Sequence, residues 1–180
     1  MYSVCATKKL LDRLASPIES IATRPSTTLG NWYATALFWK PQVALLLNQR
    51  TLISVLMPLA PARSLTERFP AALGELLRYF DVDEAFIASE TAAMSEPVVS
   101  KTESRSLLGV MNNSTRTLDF MRHINGERPL VRLSALLADS PSRAEERAMR
   151  FPDLALFELL DSLGVRHGEN PERRRYGVNW

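Results

Sequence analysis

Residues 31–57 restrict the fold more than any other part of the chain. "NWYATALFW" (31–39), "VALLL" (43–47) and "TLISVLM" (51–57) are apolar and β-rich, and Lys40-Pro41-Gln42 and Asn48-Gln49-Arg50 separate them. Turns of about three residues join antiparallel neighbours, so the segment predicts a meander. "VALLL" shows no polar alternation, the pattern of a strand covered on both faces.

The flanking sequence supplies helices. "TKKLLDRL" (7–14) places Leu10, Leu11 and Leu14 on one side, and Pro17 ends it. Ser64-Leu65-Thr66-Glu67 has capping-box spacing and opens an apolar face running to Phe80, with Pro70 either kinking the helix or marking its first turn. "EAFIAS" (84–89) and "PVVSK" (97–101) read as short strands that extend the sheet. A helix over about 104–124 follows, then a short one carrying Leu130, Leu133, Leu136 and Leu137. Residues 140–150 are a polar helix or linker, and a last helix runs from Pro152 to Leu163, stopped by Gly164. The expected fold is α+β: an antiparallel sheet of three to five strands packed against several helices, in one domain over 1–165. Residues 166–180 form a polar, mobile tail.

The composition, 46% hydrophobic and 23% charged, is ordinary globular usage. A net charge of +2 does not argue for nucleic acid, but its distribution is uneven. Residues 1–50 carry six Lys/Arg against two acids, residues 51–103 four against eight, and residues 104–150 eight against five. That pattern permits a basic face. One cysteine, Cys5, excludes an intrachain disulfide and suits a reducing compartment. The start lacks the order of a signal peptide, and Asn48-Gln49-Arg50 interrupts the longest apolar region. A cytoplasmic protein with no membrane association is expected.

The 104–124 helix is poorly built for its fold. Leu107, Leu108, Met111, Leu118 and Met121 fill one side of the wheel, while Arg105, Ser106, Gly109 and Asn112 share another sector that Arg116 and His123 continue. Gly costs about 1 kcal/mol and Asn about 0.5 kcal/mol relative to Ala in a helix interior. A glycine one turn from an arginine and an asparagine makes sense where something approaches closely. The approaching group is either a neighbouring strand, with Arg105 and Asn112 satisfying buried carbonyls, or a ligand phosphate taken by guanidinium, hydroxyl and amide donors. Lys101 and Arg105 add charge near the helix start, where backbone N–H groups already point outward.

Four stretches in order, "CATKKLL", "LGNWYATALF", "ALLLNQRTLISVLMPL" and "KTESRSLLGVMN", resemble an uncharacterised family of small bacterial proteins, a domain of unknown function of the DUF6933 type. The resemblance covers about residues 1–165. It picks out Cys5, Thr7, Lys8, Leu29, Gly30, Trp32, Asn48, Lys101, Arg105, Ser106, Gly109 and Asn112. Asn31 stands where the family tends to have Asp, and Asn113 where an acid is common. Some related domains are attached to a plasmid-type reading-frame domain, which implies a mobile-element or defence setting and no particular activity.

The remaining signals have ordinary readings beside the functional ones. Trp32 is either a base-stacking aromatic or a core anchor with its N–H bonded to a carbonyl. Asp81, Asp83 and Glu84 are close enough for Mg²⁺ but lack an EF-hand pattern. Cys5 beside Lys8 and Lys9 is either reactive or inert packing on a short buried strand. No zinc spacing, nucleophile elbow, P-loop or dinucleotide fingerprint occurs, so no metal and no cofactor are expected. Arg173-Arg174-Arg175 is a solvated tail or a contact for nucleic acid.

The expected function is a small binding or regulatory module. Its site residues are Lys101, Arg105, Ser106, Gly109 and Asn112, with Trp32, Asn48 and Lys8. It would take an anion or phosphate-bearing ligand, nucleic acid, or a protein partner. The alternative is an enzyme on a phosphate-containing substrate, of nuclease or phosphotransfer type, with Glu90 or Glu103 as base; the balance leans away from catalysis.

Overall fold

A computed structural model describes residues 1–20, 24–126, 128–144 and 149–173. Five strands, β1 (Tyr2–Ala6), β2 (Trp32–Leu37), β3 (Val43–Asn48), β4 (Ser54–Pro58) and β5 (Pro97–Lys101), form one sheet in the order β4-β3-β2-β1-β5. The meander over β2, β3 and β4 is antiparallel, with Trp32 opposite Asn48 and Leu45 opposite Leu56. The sheet as a whole is mixed, which corrects the expectation of a purely antiparallel one. β1 runs parallel to β2 on one side and to β5 on the other. Both parallel pairings join segments far apart in sequence, where no turn signal announces the direction.

The α+β class holds. Six α-helices accompany the sheet among the described residues: α1 (Lys8–Leu14), α2 (Leu65–Tyr79), α3 (Glu84–Ala93), α4 (Arg105–Asn125), α5 (Leu130–Ala138) and α6 (Pro152–Ser162). α3 corrects the expectation of a strand at 84–89. The Asp83 carboxylate accepts the N–H groups of Ala85 and Phe86, an N-cap that starts a helix on a segment whose apolar residues alone read as either type. No helix among the described residues is long and apolar enough to cross a membrane.

Alternating side chains split the core in two, as the unbroken apolar runs of the meander require. Val4, Trp32, Ala34 and Leu46 face α1, α2, α3 and α6, while Cys5, Tyr33, Leu45 and Leu47 face α4 and α5. The small Ala34, Ala36 and Ala44 sit in the cluster where Trp32 meets Phe69 edge to face, with centroids 4.9 Å apart. Pro70 lies inside α2 and leaves the Thr66 carbonyl without its helical donor; the Tyr2 hydroxyl reaches that carbonyl at 3.5 Å.

The edge strand β4 is not left bare. The Ser134 hydroxyl of α5 accepts the Leu56 N–H (2.9 Å) and donates to the Leu130 carbonyl (2.9 Å). α5 thus wraps this edge, adding Ala135 to one core and Leu133 and Leu136 to the other.

The polar stretch from residue 166, expected to be mobile, is anchored as far as Arg173. Asn170 and Glu172 are buried. Glu172 accepts from Tyr79 (2.6 Å) and from Arg132 (3.1 Å). The Asp153 carboxylate of α6 accepts from Asn170 (2.9 Å) and Arg173 (2.7 Å). Charged groups that looked solvated in sequence are consumed by each other. Residues 174–180, with Arg174 and Arg175, lie outside the described residues. Asp153→Ala leaves Arg173 and Asn170 without their shared acceptor in a buried position, and is expected to lower unfolding free energy by about 3 kcal/mol, measured by urea denaturation. The exposed Asp161→Ala should stay within about 0.5 kcal/mol of wild type.

Candidate functional site

The predicted residues separate into two groups at opposite ends of the sheet. Asn48, Gly30 and Trp32 meet at the end where β2 begins. The buried Asn48 amide donates to the Leu29 carbonyl (2.9 Å), and its oxygen accepts the N–H groups of Arg50 and Thr51 (2.9 Å each). Gly30 has φ +82°, a backbone conformation that side chains rarely adopt. The Asn31 oxygen accepts the Ser3 N–H (2.8 Å), a task Asp performs equally well, so this departure from the family pattern keeps the contact. Glu90 is buried and accepts the N–H groups of Thr28 (2.7 Å) and Leu29 (2.9 Å). Trp32 is wholly buried; the carbonyl expected for its Nε1 is not found among the described residues. These side chains knot three segments together.

Lys8, Lys101, Arg105, Ser106, Gly109 and Asn112 belong to the other end, where the parallel strands finish. The register sets Ala6 beside Lys101, and the Thr102 N–H donates to the Ala6 carbonyl (3.3 Å). The chain leaves β1 through Thr7 into α1 and leaves β5 through Ser104 into α4, so two helices start from adjacent strand ends. The Thr7 N–H donates to Ala34, its hydroxyl meets that of Thr35 at 3.0 Å, and the Ser104 hydroxyl caps α4 by accepting the Leu107 N–H (3.2 Å). Lys8, Lys101 and Arg105 are exposed, and none has a hydrogen bond or ion pair with the other described residues.

α4 presents its apolar stripe, Leu107, Val110, Met111 and Leu118, to the sheet. Gly109 and Asn112 point the other way and are exposed. Apart from its chain neighbours and the backbone of its own helix, no described atom lies within 4 Å of where a Gly109 Cβ would stand. The reading in which Gly109 permits tight helix–sheet packing, with Arg105 and Asn112 bonded to buried carbonyls, therefore fails. Gly109 instead floors an open cleft of about 270 Å³ with Ser106, Asn113, Ser142 and Arg143. Of these, sequence reasoning reached Ser106 and Gly109; Ser142 and Arg143 arrive from a loop after α5 whose path it did not trace.

The remaining candidates have separate partners. Asp81 pairs with Arg166 (3.5 Å), Asp83 caps α3 and Glu84 pairs with Arg78. His167 stacks on Phe157 and meets Asp161 at 3.1 Å. Among the described residues no three His, Cys, Asp or Glu side chains gather as a metal site. Cys5 is fully buried, and burial pushes its thiol up, opposed by hydrogen bonds with Ser100 and Tyr33.

An α+β domain whose first strand lies inside the sheet and runs parallel to both neighbours, with exposed cations at the strand ends, is the class these observations define. The domain of unknown function DUF6933 matches residues 3–155, more than half the sequence, and the chain belongs to that family. No curated protein and no solved structure matches it.

Two expectations follow from this geometry. Gly109→Ala adds a methyl group to open space and improves helix propensity, so stability should rise by up to about 1 kcal/mol, read by thermal melting. The Cys5 thiol should resist an aromatic disulfide reagent at pH 8 in the native protein and react fully in denaturant. In the unfolded chain that thiol ionises near pH 8.5, while the folded one holds its proton longer. Its contribution to stability is therefore constant below that pH and falls as pH rises through it; Cys5→Ala removes that part of the alkaline decline.

Proposed function

We propose that the protein is a binding module for a phosphate-bearing ligand, docked where β1 and β5 end and extending along α4. The observation that carries the reading is the convergence of Lys8, Lys101 and Arg105. Strand pairing brings them to one end of the sheet from positions far apart in sequence, and none has a partner among the described residues. Cations gathered at one end of a sheet, without partners among the described residues, make that end favourable for an anion. Gly109 and Asn112 continue the same surface, the glycine admitting close approach and the amide donating.

Single-stranded nucleic acid is the phosphate-bearing ligand this surface suits best. Phe38, 56% exposed, lies at the same end of the sheet, with Lys9 and Arg13 each 5.6 Å from its ring centroid. Exposed aromatics among cations are how proteins stack bases while tracking a phosphate backbone. A regulatory role in a mobile-element setting draws on the family resemblance. The enzymatic alternative draws less support, because Glu90, one of its two candidate bases, is engaged by the Thr28 and Leu29 N–H groups.

The test is fluorescence anisotropy with labelled single-stranded DNA and RNA, with tripolyphosphate as competitor. Lys8→Ala/Lys101→Ala/Arg105→Ala should weaken binding at least tenfold without moving the melting temperature, since all three side chains are exposed. Affinity should fall steeply with salt, and the triple variant should reduce the slope. No saturable binding, or binding indifferent to salt, would sink the reading.

A further inference from the structure

A different cavity, of about 250 Å³, opens between the 38–42 turn, the end of β4 and the start of α5. Its walls are apolar: the Trp39 indole, the rings of Pro41, Pro58 and Pro129, and Leu133. Its charged lining residues are Lys40, Arg122 and Arg128, and no Asp or Glu among the described residues lines it. We infer that this cavity binds a small organic anion: a flat apolar body carrying one carboxylate or phosphate.

Three observations set the chemistry of the occupant. The Arg122 guanidinium lies over the Trp39 ring, 4.2 Å from its centroid, and the Trp39 N–H donates to Asp119 (2.8 Å). The indole is therefore held from two sides as a rigid wall with its orientation fixed, a preorganised surface for a flat group. The Asp119 carboxylate is engaged by that N–H. Arg128 is half-buried, and among the described residues it has no ion pair and no hydrogen bond. A partly desolvated guanidinium with no counter-charge among the described residues, sharing the lining with Lys40, favours an anion. α5 starts in the same wall with Pro129 as its N-cap and no side-chain cap, so its positive end adds to the field.

The volume sets the size of the buried part of the ligand. A cavity of about 150 Å³ accommodates a benzene ring, so the present one takes a single ring and a charged group, or an aliphatic body of like volume. Inorganic phosphate alone would leave the apolar walls wet. A neutral aromatic would leave Lys40 and Arg128 unmatched. This site goes beyond the strand-end surface proposed above: it shares none of Lys8, Lys101 and Arg105, and its occupant is a small molecule.

Isothermal titration of the full chain decides the matter. The probes are benzyl phosphate, benzoate, benzyl alcohol and inorganic phosphate, at constant ionic strength. At least one of the two organic anions should bind tenfold or more tighter than the alcohol and the inorganic ion, and the preference between them identifies the headgroup. Lys40→Ala/Arg128→Ala should abolish that advantage with little change in melting temperature. Trp39→Phe should retain binding and Trp39→Ala should weaken it. The Lys8/Lys101/Arg105 triple-alanine variant should bind the organic anion as wild type does, so that failure of one site is distinguished from failure of the other. Saturation by none of the probes below 10 mM would overturn the inference. So would equal binding of alcohol and anion, or a Lys40/Arg128 variant that binds unchanged.

Discussion

Tyr2–Ala6 hydrogen-bonds to β2 along one side and to β5 along the other, and every side chain in it is buried. This five-residue ladder organises the molecule. Because β1 is internal, its two faces must both be covered, which calls for helices on either side of the sheet and divides the apolar residues into two cores. Because both neighbours run parallel to it, the chain must cross the sheet to return, through α1 before β2 and through α2 and α3 before β5. Because the ends of β1 and β5 are adjacent, residues that leave them arrive at one place. The candidate site is thus a consequence of strand direction: reversing β5 would carry Lys101 and Arg105 to the far end of the sheet from Lys8.

The motif residues shared with the family divide along the same axis. Leu29, Gly30, Trp32 and Asn48 build the junction where β2 begins, and their polar atoms are largely spent on backbone. Thr7 and Ser104 shape the two helix starts at the opposite end, and Lys8, Lys101 and Arg105 have no side-chain partner among the described residues. Similar-looking motifs therefore carry different physical content. A buried asparagine with four side-chain hydrogen bonds costs several kcal/mol to replace, whereas an exposed lysine costs the fold almost nothing.

How much of this was legible in the sequence depended on the range of the interaction. The meander, the 65–79 and 105–125 helices and the Gly164 stop are local, and turn chemistry or apolar period announced them. The strand–helix error at 84–89 was a six-residue apolar window in which period decides nothing and an Asp83 cap decides everything. β1 escaped as a parallel partner because its neighbours lie far along the chain, and the Asp153–Arg173 and Glu172–Arg132 pairs escaped because polarity alone reads as solvated. Gly109 stood out by its cost in a helix, while the choice between packing and openness needed the third dimension. Arg128 and Trp39 gave no signal at all, since a cavity is a property of segments that meet.

The weak helix formers of α4 can now be weighed. Leu107, Val110, Met111 and Leu118 bury its inner face, and burying such side chains is worth roughly 2 kcal/mol each, ample to hold a helix that Gly109, Asn112 and Asn113 together penalise by about 2 kcal/mol. The fold therefore tolerates these residues without needing them. Gly109 relieves no clash and has no positive φ, and Asn112 has no bond to another described residue. Alanine or lysine at those positions would serve the isolated chain better on every internal count. A segment whose outer face is worse than it need be for folding, while its inner face is well packed, is what the proposed binding surface along α4 calls for.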